Sequence, residues 1–160
     1  MIRKATPQDF NFIYDLHMHP QTNRFLFYEI MNQEEFKPVF NGLLVQEILY
    51  VYEADNILTG MFKLVPHLHR AAHVVGLGGV AIHPSFSGKG HAQQMINEII
   101  LFGKERGFLR MELGVSVINT RAIHLYEKAG FKKEGLLKKY IYLKIENLFL
   151  DDLLMAYLYE

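Results

Sequence analysis

The sequence predicts one α/β domain of 160 residues, a mixed sheet of about seven strands with helices on both faces. Three observations predict it. Leu109, Met111, Leu113, Val115 and Val117 alternate with polar or small residues, the period of a strand. Ala92, Met95, Ile96, Ile99, Ile100 and Gly103 recur at the spacing of one helix face. Segments of both kinds follow one another along the chain with no linker, charge block or internal repeat, so residues 1–160 read as a single domain.

The elements follow in order. Ile2–Ala5 is a short opening strand. Thr6-Pro7-Gln8-Asp9 carries an N-cap hydroxyl, a proline at the first helical position and an acid at the positive dipole end, so a helix runs from here to about Met18. Pro20 and Asn23 interrupt it, and a second helix covers Gln33 to Leu44. Phe and Tyr are dense in this region, as core or as the wall of a pocket. Glu47–Ala54 and Ile57–Val65 form a hairpin about Asp55-Asn56, two residues that tolerate positive φ. His73–Ile82 is a nearly continuous apolar run, as in a strand buried on both faces. After the loop Pro84–Lys89 come a helix that stops at Gly107, the strand Leu109–Val117, and a helix capped by Asn119 and ended by Gly130. Strands near Lys138–Ile145 and Phe149–Leu158 close the chain. The pairs Lys132-Lys133 and Lys138-Lys139 suit solvated sheet edges.

Composition narrows the function. Seventeen Lys+Arg balance 17 Asp+Glu, so no bulk field draws the protein to nucleic acid or anionic membrane. The eight His add positive charge only in mild acid. The absence of Cys excludes a disulfide scaffold, a thiolate metal site and a cysteine nucleophile, and is compatible with the cytoplasm. No apolar stretch of about 18 residues offers a membrane span, and Met1-Ile2-Arg3-Lys4 lacks the apolar segment of a signal peptide. A cytoplasmic protein is expected, and any anionic ligand must be held locally.

Residues 80–92 supply such a place. The run Val80-Ala81-Ile82-His83-Pro84-Ser85-Phe86-Ser87-Gly88-Lys89-Gly90-His91-Ala92 passes from a strand through a glycine turn into an amphipathic helix. N–H groups at a helix start have no intrahelical acceptor and sit at the positive dipole end. Gly88 and Gly90 leave the backbone open to a ligand and Lys89 adds a cation, an anion site of the diphosphate type unless it is an ordinary strand–helix turn. Two other phosphate motifs fail. Lys89 is followed by Gly90 rather than Ser or Thr, so this is no P-loop. Gly76-Leu77-Gly78-Gly79-Val80-Ala81 matches a dinucleotide fingerprint but lies inside a strand and runs into His83-Pro84. His67, His69 and His73 have no Cys or carboxylate among them and read as a pocket edge or surface, so no metal is expected.

The segment Ser87-Gly88-Lys89-Gly90-His91-Ala92 resembles the acyl-CoA-binding signature of the GNAT-type N-acetyltransferases, with Ser87 in place of the usual leading Arg or Gln. Asn119-Thr120-Arg121-Ala122-Ile123-His124-Leu125-Tyr126-Glu127-Lys128-Ala129-Gly130-Phe131 resembles the family's second element, Asn-x-x-Ala-x-x-x-Tyr-x-x-x-Gly-Phe. Ile2–Thr6 and Phe149–Met155 resemble its opening and closing strands. The resemblance implies a mostly antiparallel sheet, splayed between Val74–Ile82 and Leu109–Val117 to admit acetyl-CoA. It implies that backbone groups of Val80, Ala81 and Ile82 pair with the pantetheine arm, that N–H groups from Gly88 through Lys89, Gly90, His91 and Ala92 to Gln93 hold the diphosphate, and that Asn119 meets the cofactor arm. Gly78-Gly79 would supply a bulge for the splay.

The implied reaction is attack of a primary amine on the thioester carbonyl. The amine must lose a proton, the oxyanion needs a donor, and the thiolate benefits from a proton. A backbone N–H of Val80–Ile82 serves as the oxyanion donor, and Tyr126 matches the family tyrosine that protonates sulfur; otherwise Tyr126 is a core aromatic. Many members carry a Glu where this chain has Gly114. Glu112, two residues earlier on the same strand face, is the substitute, with His73, His83 and His91 as alternatives and a solvated charge as the plain reading. The expected acceptor is a small amine, an amino acid or a protein N-terminus, with neither nucleic acid nor membrane as partner and a homodimer left open. A catalytically silent acyl-CoA sensor is the other reading.

Overall fold

A computed structural model describes all residues, Met1–Glu160. Its sheet has seven strands in the order β1-β2-β3-β4-β5-β7-β6. They are β1 (Ile2–Lys4), β2 (Leu49–Ala54), β3 (Ile57–Pro66), β4 (Val74–Ile82), β5 (Arg110–Ser116), β6 (Lys132–Leu143) and β7 (Leu148–Leu158). Every neighbouring pair is antiparallel except β4 and β5. The helices are α1 (Phe10–Met18), α2 (Pro20–Asn23), α3 (Gln33–Val45), α4 (His91–Glu105) and α5 (Thr120–Ala129).

Alternation along the strands divides the apolar residues between two faces. On one face Phe62, Leu64, Val75, Leu77, Met111, Leu113 and Val115 pack with Met95, Ile96 and Ile99 of α4 and with Ile123 and Tyr126 of α5. On the other, Val51, Met61 and Ala81 pack with Ile13 and Leu16 of α1 and Phe36, Phe40 and Leu43 of α3. His17 lies in this second layer. Burial pushes its imidazole down to about 4, so it stays neutral while Nδ1 meets the Ile13 carbonyl at 2.9 Å.

The Asp55-Asn56 hairpin forms as expected, with φ of 52° and 63° at its two residues. Three expectations need correction. At the first helix start Thr6 is the N-cap, Pro7 follows it and Asp9 closes a capping box, its carboxylate accepting from the N–H (2.8 Å) and hydroxyl (3.2 Å) of Thr6, as the sequence indicates; but the turn they open, Pro7–Asp9, is 3-10 and precedes α1. Pro20 and Asn23 do not simply break the chain but bound α2, because proline is tolerated in a first turn, and the His19 ring accepts from the Gln21 N–H. The strand expected near Lys138 begins at Lys132. It is the sheet's edge, exposed along most of its length, so burial never wrote an apolar alternation into it. Both lysine pairs lie on this edge, as expected.

The sheet parts between β4 and β5. Only Val74–Arg110, Val75–Met111 and Gly76–Glu112 pair; beyond them the strands separate. The cause lies in β4. Between the β3–β4 pairs Lys63–Gly78 and Met61–Ala81 there is one extra residue on β4, a bulge. Gly79 supplies the positive φ (57°) it needs. Past the bulge the His83 N–H bonds to Thr59 O (2.9 Å), so ladder alternation turns the main-chain groups of Ile82, and of Val80 two residues back, away from β3 and toward the gap.

The first strand is bound to the start of the first helix by a charge pair in which Asp9 is buried and Arg3 is half-buried. Arg3 donates to both Asp9 oxygens (2.8 and 2.9 Å) and to Glu53 (3.2 Å). Burial pushes the Asp9 carboxyl up, but the Arg3 and Thr6 hydrogen bonds outweigh it and hold the group below the usual carboxylate range. Removing one member of such a pair leaves the other charge stranded. Arg3→Ala is therefore expected to lower unfolding stability by about 3 kcal/mol in urea at pH 7. The double variant Arg3→Met/Asp9→Asn is expected to lose less than Arg3→Ala alone.

Candidate functional site

The gap opens into a cleft of about 990 Å³. Its lining draws on α2 and the turn after it, on β3 through β5, on the start of α4, on α5 and on the closing strands β6 and β7. Phe25 and Phe27 stand exposed at its mouth, so two of the N-terminal aromatics wall a pocket while Phe36 and Phe40 form core.

The turn from β4 to α4 forms one end. Pro84–Phe86 is a 3-10 turn, and Gly88 and Gly90 follow at φ 77° and 81°, where a Cβ added to either would meet no atom within 4 Å. Both glycines therefore leave open space above the main chain. The first bond of α4 at this end runs from the Gln94 N–H to Gly90 O, which leaves the N–H groups of His91, Ala92 and Gln93 without acceptors inside the helix. Arg121 of α5 reaches across to donate to the Ser87 hydroxyl at 3.2 Å. A guanidinium thus stands at the turn although position 87 carries no cation. This contribution was invisible in the sequence because it comes from another helix; the only available signal was a basic residue in the first turn of α5. Free N–H groups, open space and a nearby cation fit a diphosphate.

Of the residues singled out in the sequence, Val80, Ala81, Ile82, Gly88, Gly90, His91, Ala92, Gln93, Glu112, Asn119 and Tyr126 all line this one cleft. Lys89 is exposed and does not. The Asn119 side chain accepts from the Ala122 N–H at 3.2 Å and so caps α5 at the cleft edge. Tyr126 is 7% exposed, and burial pushes its phenol well above the ordinary range, so it holds its proton at neutral pH.

Glu112 stands at the last β4–β5 pair, where the strands part. Its carboxylate accepts from Arg110 Nε at 2.8 Å and has His67 Nε2 at 3.6 Å, while Arg110 also grips Glu134 with two hydrogen bonds. Among the histidines, His83 bridges Asp15 (2.8 Å) and Ser85 (2.7 Å), and His91 leaves a buried Nδ1 without a partner. His73 is exposed and lies outside the cleft lining. No group of three or more His, Asp or Glu side chains is gathered to hold a metal ion. No helix is long and apolar enough to cross a membrane. Sequence reading missed Asp152 of β7, which is buried yet lines the cleft.

A sheet parted beside an anion cradle, with a protonated phenol in the gap, defines a class: an enzyme that seats an extended, phosphate-bearing molecule edge-on between two strands. The chain belongs to the acetyltransferase (GNAT) family, whose model matches residues 10–131, and is an N-acetyltransferase. It is 27% identical to spermidine N(1)-acetyltransferase of Vibrio cholerae over 84% of this chain and 79% of that one. The Escherichia coli K12 enzyme of the same name is 28% identical over 77% of this chain, which spans only 53% of that protein's length. In fold, the chain matches a Vibrio cholerae spermidine N-acetyltransferase in complex with CoA and spermine (TM-score 0.84, 24% identity, 99% and 94% of the two chains). It also matches a ribosomal-protein-alanine N-acetyltransferase from Brucella melitensis (TM-score 0.81, 20% identity, 99% of both chains).

The cradle yields a test of its own. Arg121→Ala is expected to weaken CoA binding about tenfold by calorimetry, the worth of one charge-assisted contact. Ser87→Ala, which leaves that guanidinium in place, is expected to bind CoA within about threefold of wild type.

Proposed function

We propose that the chain moves the acetyl group of acetyl-CoA to a small primary amine, an amino acid or a protein N-terminus, by direct attack of the amine on the thioester. The observation that carries this reading is the continuity of the cleft, in which one opening joins the cradle at Gly88–Gln93, the unpaired main chain of Val80 and Ile82, and the Tyr126 phenol. Acetyl-CoA supplies the activated acyl group and its thiolate leaving group. The main chain of β4 holds the pantetheine arm as an added strand would be held, and one of its N–H groups stands ready for the negative charge that develops on the carbonyl oxygen. Tyr126 donates its proton to sulfur. Burial keeps the phenol protonated until the thiolate departs; the thiolate is by itself the weaker base, and the same apolar gap raises its basicity toward that of the phenol. Glu112, the carboxylate that the sequence offers for the amine's proton, is already engaged by Arg110 and His67 and is left outside the transfer itself.

The acceptor enters from the opposite face, past Phe25, Phe27 and Lys63. The Lys63 ammonium lies over the rings of Phe27 and Tyr28 (5.6 and 5.3 Å), and burial pushes its pKa down. Arg24, on the same wall, is already paired with Glu146 at 2.6 Å. A wall with this cation favours an acceptor with one amine over a polyamine, by the repulsion of like charges.

The test is CoA release across an amine panel, read with a thiol reagent. The chain has no Cys, so every thiol detected comes from CoA. Amino acids and monoamines are expected to turn over faster than spermidine. Tyr126→Phe is expected to lower kcat by about 10²- to 10³-fold, in the range of general-acid contributions, while acetyl-CoA protects the variant against melting as it protects wild type. Protection by acetyl-CoA without release by any amine would contradict the transfer reading, and full turnover by Tyr126→Phe would contradict the acid assignment.

A further inference from the structure

The pairing of β5 with β7 sets Ser116 opposite Asp152 and Gly114 opposite Leu154. Paired residues of antiparallel strands share a face. Met111, Leu113 and Val115 face α4 and α5, so Gly114, Ser116 and Asp152 face the other way, toward the side where the acceptor enters. Asp152 is 5% exposed and lines the cleft.

Two independent observations mark this carboxylate. Its Oδ1 is buried without a hydrogen-bond partner, and so is the hydroxyl of Ser116 across the strand. Buried polar atoms are nearly always paired, and an unpaired carboxylate oxygen in an enclosed site is waiting for a donor. The second observation concerns Gly114. A Cβ built there would come within 2.9 Å of Asp152 Oδ2, so the carboxylate occupies the space any side chain at 114 would need. Asp152 thus reaches into the gap exactly because its neighbour has no side chain.

No cation offsets it. Asp151 is adjacent, and one of its oxygens accepts the Lys139 N–H at 2.8 Å. Burial, and then the charge of Asp151, holds the Asp152 carboxyl above the usual range. The other ionisable groups on this side of the cleft are Glu112, paired with Arg110; Arg24, paired with Glu146; Lys63, over its two rings; and Tyr140 of the edge strand.

We infer that Asp152, rather than Glu112, receives the ammonium of the acceptor and takes its proton. The inference rests on the acetyl-transfer reading above. Glu112 is committed to Arg110 and His67, whereas Asp152 has an oxygen free and no competing cation. The carboxylate takes one proton from the ammonium and passes it to solvent. The neutral nitrogen then attacks the thioester carbon; the C–N bond forms and the C–S bond breaks. Asp152 takes the second nitrogen proton as Tyr126 gives its own to sulfur, and Tyr126 is reprotonated through water. One proton leaves per acetyl transferred. Acid and base thus stand on opposite faces of the sheet, with the gap between them.

The test compares wild type, Asp152→Asn and Glu112→Gln in the CoA-release assay with the best amine of the panel. Asp152→Asn is expected to lower kcat/KM at least about 100-fold at pH 7 and to abolish the acid limb of the pH–rate profile, with acetyl-CoA protection unchanged. Glu112→Gln is expected to keep at least about a third of the rate, since it carries no proton in this scheme. Asp152→Ala/Gly114→Glu, which returns a carboxylate to the same space from the facing strand, is expected to recover at least about tenfold over Asp152→Ala. Stability adds a readout that a structural role would not produce. A carboxyl raised in the folded state favours the native protein below its unfolded value and loses that contribution as pH rises through the folded value. The melting temperature of Asp152→Asn is therefore expected to gain on wild type between pH 4 and pH 8. An Asp152→Asn enzyme that keeps its rate and its acid limb, or that melts below wild type at pH 8, overturns the inference while wild-type turnover keeps the transfer reading intact. A wild type that transfers to no amine overturns both.

Discussion

Everything in this protein depends on hydrogen bonds that β4 and β5 do not make. Two parallel strands at the centre of a sheet ordinarily pair along their length, and each buried main-chain group left unpaired costs about 1–3 kcal/mol. Here the ladder ends after Gly76–Glu112. A bulge at Gly79 turns β4 outward, and the Val80 and Ile82 main chain is left facing a gap. Such a gap persists because both faces are held from outside: α4 and α5 pack on one side, and α1 and α3 on the other. The unmade bonds are then available to a ligand shaped like a strand.

The gap also organises the chemistry. It brings the turn at the end of β4, and with it the start of α4, to one end of the opening, so main-chain N–H groups without helical acceptors face the cleft in a chain of zero net charge. It exposes Tyr126, from one layer of core, and Asp152, from the opposite side of the sheet, to the same space. Burial acts on both in the same chemical direction, holding each in its protonated form beyond its usual range. For the phenol this preserves a donor. For the carboxyl it raises basicity, at a cost to stability that no partner in the fold offsets.

Features encoded locally were legible in the sequence. The Asp55-Asn56 hairpin, the amphipathic α4, the Asn119 cap and the glycine turn each announce themselves within a few residues, because backbone conformation there is set by local sterics and hydrogen bonding. Gly78-Gly79 likewise pointed to the bulge. Features whose meaning lies in pairing were not legible. The first half of β6 is an edge strand with little buried, so it carries no alternation. Arg121 at Ser87 joins residues 34 apart in the chain. Glu112 read as a free base because its partners, Arg110 in the pleat and His67 from another segment, appear only in three dimensions. Asp152 acquires its significance from the absence of a side chain at Gly114 on the neighbouring strand, a relation set by register alone.

The most direct test of the parted sheet is amide hydrogen exchange across residues 74–82, with and without acetyl-CoA. The main-chain groups of Val80 and Ile82 face the gap, so their amides are predicted to exchange readily in the free protein and to be slowed at least about tenfold by acetyl-CoA. The amides of Gly78 and Ala81, turned to β3, should change far less. Equal protection of Val80 and Ile82 with and without the ligand, while acetyl-CoA is shown to bind, would contradict the account.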